Sequence, residues 1–157
     1  MKITHIWSVL CGQSIINSDN NQISLLNVME RFEINAVVQN SKDFEKDINI
    51  AVAYEVVSFW INSSEDKEVK GIVDISVKNP NNEERHLFST EFTIPANTKR
   101  LRTRLKIAGF VVKGSGIYNF IIKFRETEKD EPKEVTILPL EVVVNKVIQP
   151  DSSKKVN

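Results

Sequence analysis

Three side chains have the chemistry of a nucleophile or a base: His5, His86 and the lone cysteine, Cys11. A cysteine in contact with a histidine would supply a thiolate for acyl transfer. His5 and Cys11 share one parity of a predicted strand, but six residues at ~3.3 Å each place them about 20 Å apart. His86, between Arg85 and Leu87 in another strand pattern, is typical of a partly exposed strand residue. We therefore predict no catalytic residues and expect a protein that is not an enzyme.

The sequence also gives little support for a metal site or a phosphate-binding site. Zinc sites use closely spaced cysteine and histidine pairs, and the chain has no CxxC or HxxxH spacing. Residues 109–115 have the glycine spacing of a phosphate-binding loop but lack its lysine and lie between strand patterns. Turn carboxylates are the remaining candidates, for calcium, but show no Asp-x-Asp spacing: Asp19, Glu65, Asp66, Asp130 and Glu131. We predict no metal and no cofactor.

One segment departs from the neutral charge of the chain. The 21 basic residues balance the 21 acidic ones, yet residues 99–125 contain 8 basic and no acidic residues. From residue 100 to residue 107, cations on one parity alternate with Leu101, Thr103, Leu105 and Ile107 on the other. The cations of this segment that fall in strand patterns are the predicted ligand-binding residues: Arg100, Arg102, Arg104, Lys106, Lys123 and Arg125.

Two interpretations of these cations remain open. In the first, they bind an acidic protein or a phosphate-bearing ligand, because alternate side chains project from one face roughly 6.5–7 Å apart and arginine captures such groups with two hydrogen bonds. Nearby aromatic residues fall on the inward parity, which disfavours a stacking platform for single-stranded nucleic acid. In the second, carboxylates on neighbouring strands neutralise the cations, with these candidates: Glu55, Asp74, Glu91, Glu134 and Glu141.

The elements that must position these residues are strands. The chain contains 18 Ile and 18 Val against 5 Ala and 8 Leu, and β-branched residues favour strands. Polar turn clusters at 17–21, 79–82 and 95–97 separate short apolar runs, which gives about eight strands. Because the spacing leaves no room for crossover helices, we predict an antiparallel β-sandwich, immunoglobulin-like or C2-like in outline.

Several local features refine this prediction. Residues 113–116, with two glycines, predict a tight hairpin between the two basic strands. Pro139 predicts a sheet edge or a bulge. Trp7 and Trp60 are interpreted as core anchors, with a ligand platform as the alternative. Residues 1–148 are predicted to form a single domain, with 39–47 as its longest irregular connection and 149–157 as a polar tail.

The compartment follows from what the sequence contains. A single cysteine makes no intrachain disulfide, which is typical of a reducing compartment. The apolar run at the N-terminus is interrupted by polar residues and precedes no cleavage site, so no signal peptide is predicted. No run approaches the roughly 20 apolar residues of a membrane span. We expect a cytoplasmic protein without membrane contact.

Two stretches are distinctive: residues 7–11, Trp-Ser-Val-Leu-Cys, followed by the apolar strand 21–28, and Gly114 with 116–120. The first resembles the opening of a family of uncharacterised bacterial and phage β-sandwich proteins, and the second is similar to the penultimate strand of that family. The chain has Asn27 where the family usually has glycine. The resemblance implies the sandwich fold and adds no activity and no site residues.

We accordingly expect a non-enzymatic binding or interaction protein that uses the basic segment. One alternative is a structural or accessory component of a phage or bacterial assembly, which predicts large flat apolar patches and self-association. Another is a hydrolase or transferase with a carboxylate-based site. Separately, we consider a homo-oligomer that forms through edge strands.

Overall fold

Nine β-strands form the regular structure in a computed structural model that describes residues 2–38, 47–64 and 66–148. Within these ranges, no helix is long and apolar enough to cross a membrane. The predicted connection at 39–47, except Asp47, and the predicted tail at 149–157 lie outside the described residues. The strands are β1 (Ile3–Ile16), β2 (Ile23–Val28), β3 (Arg31–Val38), β4 (Ile48–Asn62), β5 (Val69–Lys78), β6 (Glu84–Ile94), β7 (Arg100–Val112), β8 (Gly116–Arg125) and β9 (Lys133–Ile148).

The strands form two sheets that face each other, as a sandwich requires. Sheet A has the order β2-β1-β4-β7, and sheet B has the order β3-β9-β8-β5-β6. The predicted all-β class is confirmed. The prediction that every strand is antiparallel is wrong, because β3 pairs with β9 in parallel. Asn27, near the end of β2, has a φ of 54°, and β3 joins the other sheet.

The core lies between the inner faces of the sheets. The parity predicted to face inward on β8 is buried, and it brings Tyr118, Phe120 and Phe124 together with Trp60 of β4. Trp60 is fully inaccessible, lies 5.2–5.3 Å from the Phe92 and Phe124 rings, and donates a 2.9 Å hydrogen bond from Nε1 to Thr103 Oγ1. The core role predicted for Trp60 is confirmed.

The predicted hairpin between β7 and β8 is wrong, because β7 belongs to sheet A and β8 to sheet B. Residues 113–115 carry the chain from one sheet to the other. Gly114 and Gly116 do have positive φ angles, 138° and 145°, which favour glycine. The Tyr118 hydroxyl holds this connection, since it donates to the Gly114 carbonyl at 3.0 Å and accepts from the Lys113 amide at 2.9 Å.

Two other local predictions can be compared with the structure. The turn clusters contain Asn21, Asn82 and Asn97, each with positive φ, a conformation that asparagine tolerates better than most residues. Pro139 lies on β9, which is an interior strand of sheet B. Its pairing with β3 begins only at Glu141, so the ladder on that side does not need the amide hydrogen that proline lacks.

Candidate functional site

Strand β7 is an edge strand of sheet A. Its side chains alternate between the inner and outer faces as predicted. Thr103 is buried, and Leu101, Leu105 and Ile107 pack against the core. The opposite parity therefore projects from the outer face of sheet A, away from sheet B. We call the four cations on this parity the basic row: Arg100, Arg102, Arg104 and Lys106.

Aromatic side chains from two neighbouring strands extend the basic row. Trp7 of β1 is paired with Phe59 of β4, and Phe59 is paired with Arg102 of β7. The Trp7 and Phe59 rings lie 5.7 Å apart, and the Arg102 guanidinium lies 5.8 Å from the centre of the Phe59 ring. Trp7 is therefore not a core anchor. The aromatic residues of β8 lie on the inward parity, as expected. Trp7 and Phe59 nevertheless bring aromatic rings to the basic row, from strands that do not carry its cations.

Lys123 and Arg125 do not belong to this surface. They lie on the outer side of sheet B, because the alternate residues of β8 form the core. Lys123 Nζ is 2.9 Å from Glu84 Oε1, and Arg125 Nε is 3.3 Å from Asp74 Oδ2. The Arg125 contact is an ion pair by distance, but its N–H does not point at the oxygen. The six predicted cations therefore do not share one face. Lys123 and Arg125 are each neutralised by a carboxylate of sheet B.

Part of the outer face of sheet A is covered by the β1–β2 hairpin. Arg104 donates to Ser14 twice, from Nε to Oγ and from Nη2 to the carbonyl oxygen, each at 2.7 Å. Ser14 Oγ in turn donates to Glu55 Oε2, which lies 3.6 Å from Arg104 Nε. Arg102 Nη1 donates to the Asn21 carbonyl oxygen at 2.9 Å. Two of the four cations thus hold the hairpin in place, which the sequence did not indicate.

The remaining cations are exposed at the two ends of the basic row. Arg100 and Lys106 form no side-chain ion pair or hydrogen bond within the described ranges. The carboxylate paired in register with Lys106 is Glu55, whose side chain is only 5% exposed and contacts Arg104 and Ser14. The surface is therefore positively charged. The carboxylate neutralisation that the sequence left open is found at Arg104, but not at Arg100 or Lys106.

His5 and Cys11, which both lie on β1, are not arranged as a catalytic pair. Burial, and then the Glu55 carboxylate, raise the pKa of the Cys11 thiol, which disfavours the nucleophilic thiolate. His5 Nε2 instead lies 2.7 Å from Ser8 Oγ, and that hydroxyl lies 2.7 Å from the buried Ser58 Oγ. This chain of hydrogen bonds satisfies polar groups on the inner side of sheet A.

His5 is expected to make stability depend on pH. Burial lowers the pKa of His5 below its ordinary value, so the unfolded chain takes up a proton that the folded chain resists. The free energy of unfolding should therefore decrease as the pH falls through about 6.5. Urea unfolding of the wild type and of His5→Gln, measured between pH 8 and 5, should show a smaller decrease in the variant. Parallel curves would contradict this role.

A cleft of about 850 Å³ opens between the sheets, beside edge strands β6 and β7. Its floor is mainly apolar and includes Val52, Leu87 and Ile107. The β4–β7 ladder is interrupted here between Ile50 and Ala53. Opposite the interruption, Gly109 has a φ of 74°, and a Cβ atom there would collide with the Ile50 carbonyl oxygen. The cleft is therefore built around a β-bulge.

The described part of the chain contains no group of three or more histidine, cysteine, aspartate or glutamate side chains arranged to hold a metal ion. Glu65, one of the carboxylates considered for calcium, lies outside the described residues. Asp130 Oδ2 accepts hydrogen bonds from the amide and hydroxyl of Thr127, at 2.9 and 2.8 Å, so this carboxylate has a local structural role.

No protein-family model matches the chain, and no curated protein matches it. Among solved structures, it is similar to a β-glucosidase from Listeria innocua in complex with gluconolactone, with 10% identity and a TM-score of 0.44 over 73% of this chain. It is also similar to the C-terminal domain of Wzt, with 10% identity and a TM-score of 0.41 over 62% of this chain. A family 123 glycoside hydrolase from Clostridium perfringens has 12% identity and a TM-score of 0.43 over 96% of this chain. The chain spans 15%, 62% and 28% of these three proteins, respectively, which is less than two thirds of each.

Proposed function

We propose that this protein is a non-enzymatic binding protein whose basic row binds an anionic partner. The observation that carries this proposal is the charge of the outer face of sheet A. Four cations project from one parity of β7, and Glu55, the carboxylate paired in register with Lys106, is buried against Arg104 and Ser14. A row whose two ends, Arg100 and Lys106, are not neutralised attracts anions and accelerates their association.

The aromatic residues beside the row support the same function. Trp7 and Phe59 are partly exposed and lie in register with Arg102. The apolar rings exclude water on one side of the arginine, which strengthens its interaction with a bound carboxylate or phosphate. Arg102 Nη2 and Arg104 Nη1 have no hydrogen-bond partner among the described residues.

The other functional predictions are retained as proposals. We propose a cytoplasmic protein that acts without a cofactor. A buried, unpaired Cys11 supports a reducing compartment. The immunoglobulin-like or C2-like outline is retained as a proposal for sheet A and the antiparallel part of sheet B.

The test reverses the charge of the two exposed ends. Arg100→Glu/Lys106→Glu should weaken binding to poly-L-glutamate about tenfold or more, since each exposed charge pair contributes roughly 0.2–1 kcal/mol and each reversal replaces attraction by repulsion. Both residues lie on the outer parity and hold no other side chain. The measurement is fluorescence anisotropy of labelled poly-L-glutamate at 50 and 300 mM salt, and the wild-type affinity should fall with salt.

A matched control separates the row from net charge. Lys67→Glu/Lys129→Glu changes the net charge by the same amount at two exposed lysines outside β7 and should bind poly-L-glutamate like the wild type apart from a small long-range effect. Inorganic polyphosphate serves as the second probe and distinguishes a phosphate from a carboxylate partner. Equal losses in both double variants, or no binding of either probe by the wild type, would overturn the proposal.

A further inference from the structure

We infer that the basic row captures an extended acidic segment of another protein, which adds to sheet A as a strand along the outer edge of β7. The inference rests on the proposed function and specifies its partner and its binding mode. It combines three observations: the edge position of β7, the spacing of its cations, and the apolar cleft on its inner side.

The edge position supplies backbone groups for a partner. Strand β7 spans 13 residues and pairs with β4 on one side. On its other side no strand of the described chain pairs with it. Every second residue of such an edge presents an amide hydrogen and a carbonyl oxygen to solvent, and extended peptides bind by completing these hydrogen bonds.

The spacing of the cations selects the chemistry of the partner. Arg100, Arg102, Arg104 and Lys106 recur every second residue on the outer face. An added strand has the same repeat of roughly 6.5–7 Å, so acidic side chains at alternate positions of the partner would lie beside successive cations. Opposite charges on directly neighbouring strands stabilise a sheet. Arg100 and Lys106, which have no side-chain partner in the described ranges, are the first available.

The cleft determines which side chains fit at the inward-facing positions of the partner strand. Side chains that alternate with the acidic ones would point inward, beside the half-buried Leu105 and Ile107. Beyond Lys106, where Ile107 lines the cleft of about 850 Å³ between β7 and β6, such side chains would enter the cleft beside Val52 and Leu87. Burial of apolar side chains there contributes affinity that a charged surface alone lacks. The segment expected to bind therefore alternates acidic and apolar residues.

A second copy of this chain is a poor occupant of the same edge. Pairing β7 with β7 of another copy would place its four cations against four like charges, which destabilises a sheet. Cations on an edge strand commonly serve to prevent such pairing. The same residues therefore repel a second copy and attract an acidic strand.

The experiment uses the full chain and a labelled nine-residue peptide in which valine alternates with four glutamates. The wild type should bind it, and Arg100→Glu/Lys106→Glu should bind it about tenfold more weakly, a loss of about 1.4 kcal/mol. A control peptide carries one extra residue at its centre, which moves half of its glutamates to the other parity. We expect it to bind about tenfold more weakly than the alternating peptide.

Backbone pairing is tested with two N-methylated versions of the alternating peptide. One is methylated at every glutamate and the other at every valine, so each loses the amide hydrogens of one edge. Only one edge can face β7, because residues of one parity direct their amide groups to the same side. One methylated peptide should therefore lose binding while the other retains it.

The outcomes distinguish this inference from the proposed function. Equal binding by the alternating, shifted and both methylated peptides, together with retained binding of poly-L-glutamate, would overturn strand addition and leave the proposed function standing. No binding of any peptide or of poly-L-glutamate would overturn both. Self-association that increases with salt and competes with the peptide would assign the edge to a second copy and would also overturn the inference.

Discussion

Replacing Trp60 with alanine is expected to lower the free energy of unfolding by about 3–5 kcal/mol. This side chain is fully inaccessible and packs against the rings of Phe92 and Phe124. Its loss would leave a cavity between the two sheets and leave Thr103 Oγ1 without the hydrogen-bond donor Nε1. Urea unfolding at pH 7, monitored by circular dichroism, measures the change. A loss below about 1.5 kcal/mol would contradict the central position of Trp60.

Trp7 is the matched control, because it is the other tryptophan of the chain. It projects from the outer face of sheet A and is partly exposed. Trp7→Ala is therefore expected to reduce stability by about 1 kcal/mol or less, as is usual for a partly exposed site, and to weaken the binding of poly-L-glutamate. The opposite pattern, with Trp7→Ala the more destabilising, would show that the two faces have been assigned wrongly.

Arg104→Ala is expected to have the second largest effect, about 2–3 kcal/mol of destabilisation. Removing one partner of a buried ion pair costs about 3–5 kcal/mol, and the partial exposure of Arg104, 34% of its side chain, reduces this cost. The variant leaves the buried Glu55 carboxylate with Ser14 as its remaining partner and releases the β1–β2 hairpin. Hydrogen exchange should show faster exchange of the β1–β2 amides, and urea unfolding should give the loss in free energy.

Two variants test the physical cause of that loss. Arg100→Ala, on the same face but without a side-chain partner among the described residues, should change stability by about 0.5 kcal/mol or less. Ser14→Ala/Glu55→Leu/Arg104→Met replaces the whole polar cluster by apolar groups and should recover most of the stability, since such replacements are often neutral. A triple variant as unstable as Arg104→Ala would show that the uncompensated carboxylate is not the cause.

The contacts of Arg102 and Arg104 with the β1–β2 hairpin couple these two cations of the basic row to the stability of the fold. From the alternation of the row alone, charge reversal of Arg102 and Arg104 is expected to leave the fold intact. The structure places both side chains against the β1–β2 hairpin, so reversing them would disturb folding and binding together. Arg100 and Lys106 are the positions at which binding can be changed alone.

The sequence by itself determined the all-β class and the direction of the side chains on β7 and β8. Alternation along one strand is a local property, and for that reason Leu101, Thr103 and Leu105 could be assigned to the inner side and the basic row to the outer side. Asparagines and glycines likewise marked the positions of positive φ, because that preference belongs to the residue itself.

Only the tertiary structure decided which strands are neighbours. The glycines of 113–116 are compatible both with a tight hairpin and with a connection between the two sheets. The structure has the connection between sheets, which places Lys123 and Arg125 on a different sheet from the basic row. Trp7 and Phe59 are 52 positions apart in the sequence, and Phe59 and Arg102 are 43 apart. These three residues lie side by side only because β1, β4 and β7 adopt one particular register. Sheet order and register depend on how all the apolar faces are buried together, and no local pattern contains that information.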